Sequence, residues 1–317
     1  MLEVPVYMIT GFLESGKTSF IQDVLASPDF ADGRKTLLLL CEEGEEEYDE
    51  KELSRHNIEI LSVENEADLT KAFLEDAHRF YKPYRVFVEY NGMWDARKFA
   101  EKLIPKRWEI VQVITLVDGS TFEVYLNNMR SMFSNIFSLT EMVIFNRCTA
   151  DMDLHKFRRS VKALNQQVMV AFEDDQGNQL DIGKGKPPYD LDAPVIAIDD
   201  VDFGLWFLDM TDSPDRYRGK VVRFIAKVMV PGKFPEGSFI PGRNAMTCCV
   251  EDIRFIGYIC RTKEMKQPYR PRQREWVEVT ATVRYEYAAE YRGEGPVLYA
   301  REVKRVPAPA EELVYFN

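Results

Sequence analysis

Apolar positions in the first 175 residues gather into short runs, with amphipathic stretches between several of them. Residues 4–10 read as a strand, followed by a glycine-containing turn and a helix from about Lys17 to Leu25. Residues 35–41 do not alternate, which predicts a strand buried on both faces. Further strands are predicted at 58–63, 85–90, 110–117, 141–146 and 167–172. Helical spacing appears over 67–80 and over 153–164, the latter through Leu154, Phe157, Val161 and Leu164. Strands separated by helices of this length predict an α/β fold, a parallel sheet joined by right-handed crossovers.

The pattern then changes. Residues 173–194 are polar and rich in Asp, Gly and Pro, which reads as a linker or long loop. Beyond Val221 the chain alternates β-like segments (221–230, 245–250, 255–260, 276–285 and 297–306) with turn residues. Pro231-Gly232, Pro241-Gly242 and Gly293-Glu294-Gly295-Pro296 read as the turns. The expected organisation is an α/β domain over 1–175, a linker over 176–200, and a small all-β domain over 201–317. An OB-like barrel or a sandwich fits the last of these.

Composition sharpens this picture. The 317 residues are 45% hydrophobic and 29% charged, which is ordinary globular usage. No apolar run approaches the roughly 18 residues of a membrane span. The amino terminus lacks a basic region and a cleavage site, and five cysteines are an odd number. Reduced thiols and a cytoplasmic location are therefore expected. Residues 220–317 hold 17 Lys+Arg against 12 Asp+Glu, a net of +5, which leaves −16 for residues 1–219. An acidic front half is a poor nucleic-acid binder, whereas the back end tolerates a polyanion.

The candidate chemistry starts at Gly11-Phe12-Leu13-Glu14-Ser15-Gly16-Lys17-Thr18, a G-x-x-x-x-G-K-[ST] loop between a strand and a helix. Backbone N–H groups and the helix N-terminus meet phosphate charge there. Lys17 reaches the outer phosphates and Thr18 offers a hydroxyl to Mg²⁺. Together with the preceding Pro5, this segment resembles the start of the CobW-type P-loop GTPases, allied to metallocentre-assembly proteins. Cys41-Glu42-Glu43-Gly44-Glu45 through Asp49 resembles that family's N-E-x-G-E…D segment, and Glu89-Tyr90-Asn91-Gly92 its E-x-x-G. Asn146-Arg147 stands where the family carries the asparagine and lysine of its guanine-reading motif. The resemblance covers residues 1–175.

It implies a GTPase. The implied nucleotide-binding residues are Gly11, Glu14, Ser15, Gly16, Lys17, Thr18, Ser19, Gly92, Asn146 and Arg147. Thr18 and Glu42 would hold Mg²⁺, and Lys17, Glu42 and Glu89 form the catalytic set. Glu89, at the end of a buried strand, serves the metal water or the attacking water, and Gly92 lets a backbone N–H approach the γ-phosphate. The plain alternatives are a solvated acidic run for Glu42 and a strand-ending turn for Glu89-Gly92. Asp118-Gly119 reads as turn chemistry.

Three departures qualify the implication. Glu14 replaces the family's usual glycine, and a positive φ there would strain it. Thr149 stands where an aspartate would accept from guanine, with Asp151 two residues on, so ATP stays open beside GTP. The family's C-x-C-C thiolates are missing from residues 61–69. A tight soft-metal site would have to recruit Cys248, Cys249 or Cys260, with Cys41, and Zn²⁺ is left open.

In the back half, Thr247-Cys248-Cys249-Val250-Glu251-Asp252 followed by Gly257 resembles the C-terminal domain of bacterial YcgQ-type proteins, over residues 201–317. Small buried hydrophobes are the plain reading of its cysteines. The basic stretch Arg261, Lys263, Lys266, Arg270, Arg272 and Arg274, with Tyr269 among them, suits a nucleic acid less well than a solvated hairpin loop. The leading expectation is a Mg²⁺-dependent nucleoside-triphosphatase switch, GTP being the implied substrate, whose β domain binds a protein partner or cargo. The alternative is a nucleotide-gated binding protein with negligible turnover, whose β domain recognises a protein or RNA.

Overall fold

The computed structural model describes residues 3–42, 44, 48–183, 185–232, 234–246, 253–265 and 269–316. Two units emerge, Met1–Asp181 and Ile182–Asn317.

The first unit is built on a seven-stranded sheet. Its elements run β1 (Val4–Thr10), α1 (Lys17–Ala26), β2 (Thr36–Leu40), α2 (Glu50–Arg55), β3 (Ile58–Ser62), α3 (Lys71–Tyr81), β4 (Arg85–Glu89) and α4 (Ala96–Lys98). A π-helical turn, Phe99–Leu103, extends α4. Then come β5 (Trp108–Asp118), α5 (Phe122–Asn128), α6 (Arg130–Phe137), β6 (Met142–Asn146), α7 (Leu154–Leu164) and β7 (Met169–Phe172). The strand order is β3-β2-β4-β1-β5-β6-β7, and every pairing is parallel. The lack of alternation at 35–41 has the expected cause, since alternate side chains feed two cores. Val6, Met8, Leu37, Leu39, Val86 and Val88 pack on one face. Ile9, Leu38, Phe87 and Leu116 pack on the other with Ile21 and Leu25 of α1.

The helix over 67–80 begins later than its spacing suggests. Thr70 caps α3 by accepting from the Phe73 amide, so Ala67 to Leu69 stay outside it. The short helices α2 and α4 to α6 escape a periodicity reading because they are three to eight residues long.

The second unit comprises β8 (Ile196–Ala197), α8 (Phe203–Asp212), β9 (Val221–Met229), β10 (Ser238–Ala245), β11 (Arg254–Gly257), β12 (Ile259–Arg261), β13 (Trp276–Ala288), β14 (Gly293–Arg305) and β15 (Leu313–Val314). Five strands close on themselves: β9 pairs β10, β10 pairs β12, β12 pairs β14, β14 pairs β13, and β13 returns to β9. Only β12–β14 is parallel among these contacts. Counting along the chain, the circle runs first, second, third, fifth, fourth, which is the OB arrangement.

Three local readings change. Gly293-Glu294-Gly295-Pro296 is not a turn but the start of β14, paired with Ala288 back to Tyr285 of β13. Pro241-Gly242 is not a turn but the middle of β10, paired with Val228 and Lys227 of β9. A Cβ at Gly242 would lie 2.2 Å from the Ile256 carbonyl oxygen, so the glycine answers a close approach of β11 rather than a bend. The strand placed at 245–250 ends at Ala245 as β10, and residues 247–250 lie outside the described residues. α8, which the sequence reading passed over, buries Phe203, Trp206, Phe207, Leu208 and Met210.

Candidate functional site

The carboxyl ends of β1, β2, β4, β5 and β6 converge where strand order reverses around β1, the crevice in which open α/β sheets hold ligands. The loop after β1 has two glycines at positive φ, Gly11 at 145° and Gly16 at 87°. A Cβ on Gly11 would sit 2.3 Å from the Leu116 carbonyl oxygen, and one on Gly16 would sit 2.7 Å from Asn146 Nδ2. Glu14 has φ 61°, so the family's glycine position does adopt the left-handed conformation, and a glutamate bears it here.

Lys17 is the first residue of α1 and is almost wholly buried. Its Nζ donates to the Phe12 carbonyl at 2.8 Å and the Gly11 carbonyl at 3.2 Å. It also lies 2.5 Å from Glu42 Oε2. Thr18 donates its hydroxyl to Glu89 Oε1 at 2.8 Å, and Tyr48 donates to Glu89 Oε2 at 2.6 Å. Burial pushes the Glu89 carboxyl above its usual range, against these hydrogen bonds and the nearby Lys17 charge. Gly92 lies against the loop, since a Cβ there would meet the Gly11 carbonyl oxygen at 2.4 Å.

The base-reading segment is tied to the same loop. Asn146 Nδ2 donates to the Ser15 carbonyl at 2.8 Å, and Arg147 donates to the Glu14 carbonyl at 2.9 Å. Arg147 also pairs with Asp118 Oδ2 at 2.5 Å. Asp118 accepts from the Ser120 amide at 2.8 Å and the Ser120 hydroxyl at 2.5 Å, so it performs turn chemistry and holds Arg147 as well. Burial acts to raise its carboxyl, but these hydrogen bonds outweigh it and hold Asp118 below the usual range. Thr149 donates to Asp151 Oδ1 at 2.6 Å.

Two cavities open over this edge. One of 290 Å³ is lined by Lys17, Thr18, Glu42 and Glu89 together with Asp118, Thr121, Tyr125 and Arg147. The second, of 750 Å³, has Cys41, Glu42, Tyr48, Glu64 and Glu89 among its lining residues. The buried oxygens Thr10 Oγ1, Ser15 Oγ and Asn146 Oδ1 have no hydrogen-bond partner among the described residues. Buried polar atoms left unpaired are costly, so their clustering around a glycine cradle fits a polar, phosphate-bearing ligand.

The structure therefore gathers Gly11, Glu14, Ser15, Gly16, Lys17, Thr18, Glu42, Glu89, Gly92, Asn146 and Arg147 at one edge, with Ser19 in α1 directly behind the loop. Tyr48 was missed by sequence reasoning. Its position just before Asp49, inside the acidic landmark, was the available signal. Of the candidate thiols, Cys41 and Cys260 lie among the described residues. Cys41 is buried, and its thiol is driven far up by burial and by Glu89 and Glu42. Cys260 is fully buried and likewise raised by desolvation, as a core residue would be. Cys148, which the motif search passed over, lies buried in the base-reading segment. Cys248 and Cys249 lie outside the described residues. The described residues contain no group of three or more His, Cys, Asp or Glu side chains placed to hold a metal ion.

A strand-loop-helix phosphate cradle with an invading lysine, on a parallel sheet whose strand ends supply carboxylates, defines a P-loop nucleoside-triphosphatase domain. Residues 5–172 match the CobW/HypB/UreG nucleotide-binding domain, and the chain belongs to that family of P-loop GTPases, related to the metallochaperone GTPases. Residues 178–316 match the DUF1980 C-terminal domain, which takes in most of the 201–317 span of the second resemblance. Among solved structures, zinc-bound YjiA GTPase from E. coli is 18% identical, covering 84% of this chain and 92% of that one, with a TM-score of 0.42. A zinc-bound triple mutant of YjiA is 17% identical over 76% and 86% of the two chains, with a TM-score of 0.44. The hydrogenase maturation factor HypB from Archaeoglobus fulgidus is 13% identical over 56% and 84%, with a TM-score of 0.43. No curated protein matches the chain. No helix among the described residues is long and apolar enough to cross a membrane.

Proposed function

We propose that the chain is a Mg²⁺-dependent GTP hydrolase that works as a switch, with the C-terminal barrel as its partner-binding module. The observation that carries this reading is the meeting of Lys17, Thr18, Glu42 and Glu89 in one cavity beside unpaired buried oxygens. Lys17 is the buried cation placed to neutralise the outer phosphates, and doing so requires it to exchange Glu42 for phosphate oxygen. Thr18 and Glu42 supply the hard oxygens that would hold Mg²⁺. The ion, when bound, would neutralise charge developing on the phosphates. Glu89, fixed by Tyr48 on one oxygen and by Thr18 on the other, orients the attacking water and accepts its proton at a carboxylate oxygen. The close seat of Gly92 on the loop supports a backbone contact to the γ-phosphate. The front unit holds no tight soft-metal site in this reading, since the family's C-x-C-C thiolates are missing from residues 61–69.

Multiple-turnover phosphate release from GTP, with Mg²⁺ and with chelator, tests the proposal. Turnover should require Mg²⁺, and Glu89→Gln should lower it about 100-fold or more while nucleotide affinity changes little. Tight binding without turnover in the unaltered protein would favour the nucleotide-gated binding protein instead.

A further inference from the structure

Thr149 occupies the place of the guanine-reading carboxylate, and a single hydroxyl does not replace an acceptor for both N1–H and the exocyclic amine of guanine. We propose that Asp118 reads the purine edge in its place, an inference that rests on the GTPase reading above.

The cavity lined by Lys17 and Thr18 is also lined by Asp118, Thr121, Tyr125 and Arg147, and neither Thr149 nor Asp151 is among its lining residues. Four carboxylate side chains line it: Glu14, Glu42, Glu89 and Asp118. Glu42 is held by Lys17 and Glu89 by Thr18, which commits both to the phosphate end. Glu14 belongs to the phosphate loop and is exposed. Glu14 meets Arg147 only through its backbone carbonyl, whereas the Asp118 carboxylate pairs with Arg147 and its backbone is the register partner of Asn146.

A carboxylate has about four lone-pair sites. Asp118 Oδ1 accepts twice, from the Ser120 amide and hydroxyl, whereas Oδ2 accepts once, from Arg147. One acceptor site on Oδ2 therefore stays open among the described residues. On the neighbouring strand end, Asn146 Oδ1 is buried without a partner. Asn146 does not line the cavity, so among the cavity-lining residues of the base-reading edge it is Asp118 that keeps an acceptor open for an N–H donor. Guanine offers N1–H and an amine side by side, while adenine places a bare ring nitrogen beside its amine. With a single open site on Asp118, preference for guanine amounts to about one hydrogen bond, roughly tenfold in affinity.

The test is competition against a fluorescent GDP analogue, using the full chain with GTP, ATP, xanthosine triphosphate and inorganic tripolyphosphate. Asp118→Asn should weaken GTP about tenfold and leave tripolyphosphate unchanged. It should also shift preference toward xanthosine triphosphate, whose C2 carbonyl accepts from the new amide. Asp151→Asn should leave the GTP-to-ATP ratio unaltered. Ser120→Ala, which frees a second lone pair on Asp118, should raise that ratio, and it keeps the test open should Asp118→Asn fail to fold. The assignment is overturned if Asp151→Asn produces the shift, if Asp118→Asn weakens tripolyphosphate as much as GTP, or if Ser120→Ala leaves the ratio fixed. Failure of the unaltered protein to bind GTP at all would instead sink the GTPase reading, a distinguishable result.

Discussion

The phosphate edge of the first unit and the surroundings of Arg243 in the second use buried polar groups in opposite ways, although the second unit also holds unpaired buried atoms at Trp206 Nε1, Ser238 Oγ and Arg261 Nε. At the sheet edge of the first, Lys17, Thr18 and Glu89 hold partners they can exchange, and three buried oxygens hold none. In the second, Arg243 is fully buried and each of its three nitrogens has a partner: it pairs with Asp200 at 2.6 Å and donates to the carbonyls of Glu311 and Glu312. Its guanidinium lies 5.1 Å from the Trp276 ring centre. The segment before α8 is fastened in the same manner. Asp209 accepts from Arg216 and Tyr217, Tyr217 meets Tyr189, and Arg216 reaches the Gly185 carbonyl. A polar network that closes on itself stabilises its own unit, whereas one with open valences is organised around something absent from the chain.

Lys17→Ala should break the first pattern most severely. No other cation of the loop neutralises outer phosphates, so triphosphate affinity should fall more than 100-fold in calorimetric titration. Unchanged affinity would place the ligand elsewhere. Arg243→Ala should break the second, costing about 3 kcal/mol in the unfolding transition of the barrel while leaving nucleotide affinity near its starting value. Equal losses in both measurements would erase the contrast.

Smaller effects sharpen it. Burial holds the Cys41 and Cys260 thiols far above their usual range, and pushes Cys148 up to about 11. The thiolate is the reactive form and appears only as pH rises toward the raised value. Alkylation at pH 8 with peptide mapping should therefore leave these three unlabelled in the folded chain and labelled in urea. Ready labelling of Cys41 in the native state would show the nucleotide edge to be open rather than packed. Glu14→Gly should relieve about 1 kcal/mol of left-handed strain, visible as a rise in Tm of roughly 2–4 °C.

The phosphate loop was legible because a short motif in a strand-turn-helix setting specifies its own backbone, and the glycines stand where only glycine fits. The parallel sheet was legible because strands buried on both faces lose alternation. The barrel's strands were less so. Pro241-Gly242 has turn composition but serves a close strand approach, a matter of what lies across the sheet. Tyr48 and Asp118 escaped for a related reason, being ordinary residues until the fold sets them against Glu89 and Arg147.

Local chemistry is thus what the sequence alone determined: the cradle, its lysine, the strand-end carboxylates, and the missing thiolates and guanine aspartate. Tertiary structure decided which partners those groups hold. Lys17 to Glu42 spans 25 positions, Thr18 to Glu89 spans 71, and Arg147 to Glu14 spans 133. Such pairings depend on strand order around β1, which no local periodicity encodes, because the order follows from how whole helices and strands bury their apolar faces together.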